Sequence, residues 1–136
     1  MVQKLKTLQT IHLAICAGMA VAYVFAGNLS IEVLTVLPVV DAASAIYLVI
    51  PIAALFLSHY LFKSQLKKLD PKASLEDKFP TYQTASIMRW AILEFAAFLI
   101  LFQKPEFITL GIGIILYLIY LRPTEDRINN DFQNLG

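Results

Sequence analysis

A chain of 136 residues has room for one domain, and 58% hydrophobic residues with a mean hydropathy of +0.66 exceed what a soluble domain of that size carries. Dissolved in water it would present large apolar patches, so the composition selects lipid as solvent. The net charge of +1 excludes a general attraction to nucleic acid, and the single Cys16 excludes an intramolecular disulfide.

The first apolar run, Leu8 to Ala26, covers about 19 residues, roughly 28 Å of helix and enough to cross a bilayer. Lys4 and Lys6 before it and Ala20-Val21-Ala22 within it resemble a signal peptide, but the run is too long for one and reads as a retained helix. Ala14, Gly18, Ala22 and Ala26 recur every four residues along one face. Such a stripe predicts a helix-packing surface, because small residues let backbones approach where no hydrophobic effect acts between helices. Gly27-Asn28 ends the helix with residues tolerant of positive φ.

Leu29 to Val40, broken by Glu32 and Pro38, is too short to span and reads as an interfacial connection with a short helical turn. Asp41 is placed to N-cap the second run, Ala42 to Phe62. Pro51, near its middle, removes one backbone hydrogen bond. Lys63 to Pro80 is the long polar segment: five lysines alternate with acids, Asp70-Pro71 interrupts any helix, and Ser74 with Asp77 resembles a capping box.

The third run, 82–102, contains Arg89 and Glu94. Pro105 suits the first turn of a fourth run, Phe107 to Leu121, which at about 15 residues is short for the ~30 Å hydrocarbon core. Tyr117, Tyr120 and Arg122 can anchor its end. Beyond Pro123, Ile128, Phe132 and Leu135 define an amphipathic segment suited to a membrane surface. Together these elements predict an all-α integral membrane four-helix bundle, two antiparallel helical hairpins followed by a short amphipathic C-terminal segment. Nine cations (Lys4, Lys6, Lys63, Lys67, Lys68, Lys72, Lys78, Arg122 and Arg127) fall on one side of that bundle and only Lys104 on the other. The positive-inside rule then puts both termini and the polar loop in the cytoplasm.

Few residues invite chemistry. A carboxylate at bilayer depth costs on the order of 3 kcal/mol, so Glu94 is expected inside the bundle. There it would act either as a hydrogen-bonded clamp between helices or subunits or as a proton or cation site. Arg89, five residues earlier, lies some 140° around the helix, too far for a direct pair, and is expected to reach phosphate or an acidic loop residue. His12 and His59 occupy similar depths of helices expected to be neighbours. That arrangement would suit bis-histidine haem ligation, or a metal site joined by Cys16, which shares the face of His12. No phosphate loop, nucleophile elbow, zinc spacing or paired carboxylate is present, so no catalytic residues and no resident cofactor are expected.

Residues 82–94, Tyr-Gln-Thr-Ala-Ser-Ile-Met-Arg-Trp-Ala-Ile-Leu-Glu, together with Leu121-Arg122-Pro123-Thr124, resemble a group of small bacterial four-helix membrane proteins, some labelled as transporters. The resemblance implies that Arg89 and Glu94 belong to a shared pattern in the bacterial inner membrane, and it implies no established activity. The expectation is a non-enzymatic subunit in the bilayer, a homo-oligomer or part of a larger membrane complex. The alternatives are a proton- or cation-linked carrier using Glu94 and a haem-binding redox subunit using His12 and His59.

Overall fold

The computed structural model describes every residue except Met1, Leu29, Val36, Leu37, Pro38, Lys104 and Gly136. Pro38, expected to break the first connection, and Lys104, the lone cation of the far side, thus lie outside the described residues. The chain is all-α: α1 (Val2–Ala26), the short α2 (Ile31–Thr35), α3 (Ile46–Lys67), α4 (Leu75–Gln103), a 3-10 turn (Pro105–Phe107), α5 (Ile108–Tyr120) and α6 (Glu125–Gln133). Three of these, α1, α3 and α4, are long and apolar enough to cross a membrane; a fourth candidate joins Pro105–Tyr120 to α6 across a bend of 97°.

The helices outrun the apolar segments that nucleate them. Lys, Gln and Leu are good helix formers, so α3 continues in polar sequence to Lys67 and α4 starts at Leu75, which reduces the expected 63–80 loop to residues 68–74. Ser74 caps α4 by accepting from the Asp77 amide at 3.1 Å. No separate surface helix precedes the third span: α4 runs through Pro80, which withholds one amide close to the polar start, where the freed carbonyl has few demands on it. Asp41 does not cap the second long helix as expected: α3 starts one turn later, at Ile46, with Ala45 at its N-cap and no side-chain bond there. The Asp41 Oδ1 accepts from the Ser44 amide at 2.8 Å while the Ser44 hydroxyl accepts from the Asp41 amide at 2.9 Å, closing a turn over residues 42–45 before α3 begins.

Of the two expected hairpins the second forms, α4 against α5, and the first does not. α4 is the hub, packed against α1, α3 and α5, and α5 touches α1 and α3 from its other side. α1 and α3 share no main packing surface. The reason lies in the α4 face: Ala85, Ser86, Ala96 and Ala97 alternate with Phe79, Trp90 and Leu93, and all are buried. Small residues admit neighbouring backbones and large ones fill the gaps between them.

This also relocates the small-residue surface. α1 packs through Leu8, His12, Cys16, Met19 and Tyr23, spaced four, four, three and four residues apart. Ala14, Gly18 and Ala26 are exposed and Ala22 is half-buried, and a Cβ added at Gly18 would meet nothing within 4 Å. Within one molecule the stripe Ala14–Gly18–Ala22–Ala26 therefore joins no helices. At the end of α1 it is Asn28 that takes positive φ (47°), while Gly27 lacks a Cβ because one would strike Leu101 and Ile108.

The tail segment is a helix, N-capped by the Thr124 hydroxyl, which accepts from the Arg127 amide at 3.1 Å. Its apolar side does not face outward. Ile128 is buried, Phe132 lies against Tyr82 at 5.7 Å between ring centroids, and the Tyr82 hydroxyl donates to Asp131 at 2.7 Å. α6 turns 97° from the preceding helix and packs its apolar side onto one end of the helix assembly.

Candidate functional site

Polar side chains in apolar helices concentrate at the end of the assembly that α6 covers. Ser86, Arg89 and Trp90 stand three and four residues apart on α4 and so share one face. All three are buried, Arg89 retaining only 4% of its accessible surface. The guanidinium carbon lies 3.7 Å from the centroid of the Phe62 ring of α3, a close cation–π contact. Arg89 Nε and Trp90 Nε1 have no hydrogen-bond partner, and no ion pair to Arg89 forms among the described residues. Arg89 thus does not extend toward phosphate or a loop acid. Its stem leaves α4 on the core face, where the ring of Phe62 intercepts it before it can reach water.

Next to it, His12 meets Trp90 edge-on at 4.9 Å between centroids. The His12 Nε2–H donates to the Leu118 carbonyl at 2.7 Å. Leu118 lies in the last turn of α5, and its carbonyl also accepts from the Leu121 amide at 3.1 Å, so the imidazole adds a second bond to this carbonyl and ties α1 to the end of α5. Cys16 Sγ is 3.6 Å from the same nitrogen. The expected His12–Cys16 proximity is therefore present, whereas His59 is exposed on α3, which does not pack on α1. The structure does not bring His12 and His59 together. Among the described residues no group of three His, Cys, Asp or Glu side chains gathers in metal-binding geometry.

Glu94 occupies the border of the α4 core face. Leu93 and Ala97 beside it are buried, Ala91 and Phe95 are exposed, and Glu94 itself is half-buried. Expected inside the bundle, it stands half-buried at the margin, beside an outer side of α4 along which Phe95 and Phe102 are each 65% exposed. No hydrogen bond or ion pair reaches its carboxyl among the described residues. Arg89 and Glu94 point to different sides of the helix, as the 140° between them requires.

Two contacts were invisible to sequence reasoning: the Arg89–Phe62 stack, and the Tyr82–Asp131 hydrogen bond that ties α6 to α4. The one available signal was the Ser86–Arg89–Trp90 spacing, which marks a polar stripe on a helix face. Comparison with protein-family models, with curated proteins and with solved structures finds no match.

Proposed function

We propose that this chain is a four-span integral membrane protein, both termini cytoplasmic, that works as a non-enzymatic assembly component and associates with its partner through the Glu94 side of α4. The bacterial inner membrane is the compartment that the resemblance of residues 82–94 implies. One observation carries the reading. A carboxyl within the apolar part of the longest helix has no partner among the described residues of its own chain, and hydrocarbon offers it none. A hydrogen-bonding group on a neighbouring subunit removes that deficit. The exposed flank of Ala91, Phe95 and Phe102 supplies apolar contact around it.

The test is particle size after extraction in mild detergent. Wild type is expected to be larger than a monomer or to carry a partner, Glu94→Ala to run as the free monomer, and Glu94→Gln, which keeps hydrogen-bonding capacity, to remain associated. A wild-type protein that is strictly monomeric and brings nothing with it would sink the proposal. The same half-exposed carboxyl favours a second reading, a proton- or cation-linked carrier. The glutamine variant separates the two: it retains assembly in the first and abolishes ion-driven flux in reconstituted vesicles in the second.

A further inference from the structure

Beside the polar cluster, between the first half of α1 and the end of α5, an open groove of about 690 Å³ runs along the outside of the molecule. Its two ends differ in chemistry. Lys6 and Arg122 stand at one end, both exposed, and no Asp or Glu lines the groove. Beyond the polar Gln9, Thr10 and His12, the lining is Leu13, Cys16, Ala17, Ala20 and Ile119, a mainly apolar trough whose alanines leave space where larger side chains would fill it. The charged end is held in place by Gln9, whose Nε2 donates to the Pro123 carbonyl at 2.8 Å and so fixes α1 beside the chain leaving α5. Arg122 also borders the polar surface containing Asp126, yet no ion pair to Arg122 forms among the described residues. From Lys6 to Ala20 the helix advances about 21 Å, more than the ~15 Å of one hydrocarbon leaflet.

We propose that this groove holds one anionic phospholipid, its phosphate between Lys6 and Arg122 and one acyl chain along Leu13, Ala17 and Ala20. The case is charge complementarity joined to amphipathic length. Two cations with no carboxylate in the groove and no ion pair among the described residues sit at the level where headgroups lie, a guanidinium fork matches phosphate oxygens, and the trough continues from them into the apolar zone. A zwitterionic lipid fits the trough equally well but leaves the cations uncompensated. The inference rests on the bilayer placement above and not on association through Glu94.

The full chain, exchanged into mixed micelles of phosphatidylglycerol and phosphatidylcholine, is examined by native mass spectrometry. Wild type is expected to retain phosphatidylglycerol about tenfold over phosphatidylcholine, the scale of one charge-assisted contact. In Lys6→Gln/Arg122→Gln, which alters only exposed side chains, the preference falls to near unity. Ala17→Phe, which fills the trough and leaves the charges, lowers retention of both lipids. Glycerol phosphate, a headgroup without a chain, does not displace the bound lipid. Equal retention of the two lipids by wild type, an unchanged preference in the double variant, or displacement by glycerol phosphate overturns the proposal. Extraction of membranes with alkaline carbonate separates the failures. A protein released by carbonate overturns the bilayer placement itself, and one that stays with no lipid preference overturns the groove alone.

Discussion

Arg89 keeps its charge at the cost of several kcal/mol of lost hydration, and the Phe62 ring 3.7 Å away is what partly offsets that cost. A desolvated cation–π contact contributes about 2 kcal/mol, less than the penalty. Arg89→Met, similar in length and uncharged, is therefore expected to be neutral or stabilising, as apolar replacement of buried charged groups often is. Phe62→Leu is expected to cost about 1–2 kcal/mol in the presence of Arg89 and measurably less with Met at that position. Unfolding of the four members of this cycle in mixed detergent reads the coupling directly; a coupling of zero would mean that the ring only fills space. The stripe of Ser86, Arg89 and Trp90 is visible in the sequence, but its burial is not. Long cationic side chains ordinarily reach water, and only the position of α3 brings Phe62 over the guanidinium. Glu94 is the converse case. Its angle from Arg89 follows from helix geometry alone, whereas the side of α4 left uncovered depends on where three other helices settle.

Between elements, Tyr23 links α1 to both α4 and α5. The Tyr23 hydroxyl donates to the Ala97 carbonyl of α4, and its ring crosses α5 at Gly111, where an added Cβ would overlap the phenol. Gly111→Ala is expected to cost about 1–3 kcal/mol by overpacking, and Tyr23→Phe about 1 kcal/mol through the lost hydrogen bond. Pairing Gly111→Ala with Tyr23→Leu should recover part of the loss, because the obstructing ring is gone. Thermal denaturation in detergent measures all three, and a Gly111→Ala protein as stable as wild type would contradict this account of the interface. His12 belongs to the same docking surface: its bond to the Leu118 carbonyl links α1 to the last turn of α5. The histidine and the small-residue stripe are both legible in the chain. Which of them faces a neighbouring helix is not, since Ala14 and Gly18 would pack as readily as Leu8 and Cys16 if a second backbone lay against them.

At the scale of the whole molecule, apolar side chains such as Phe25, Phe56, Phe95 and Phe102 are exposed around the outside, a distribution that water would penalise heavily. With the cations grouped at one end, this arrangement makes a topological prediction. In a Cys16→Ser background, Asp70→Cys and Asn134→Cys are expected to react with an impermeant maleimide from the cytoplasmic face, and Ser30→Cys from the opposite face. Labelling of Ser30→Cys and Asp70→Cys from one side would break the four-span reading.

The amino-acid sequence alone determined the helical class, the positions of the apolar helices, and the local cap at Ser74. These depend on periodicity, propensity and hydrogen bonds within a few residues, all of which are written in consecutive positions. Tertiary structure decided that α4 is the hub, that α1 and α3 lie apart so that His12 and His59 do not meet, and that α6 folds onto Tyr82. In an apolar chain most helix faces are equally greasy, so hydrophobicity does not choose among neighbours. The choice falls to the fit of Ala against Trp, of Tyr23 against Gly111 and of a ring against a guanidinium, which exists only once the helices are side by side.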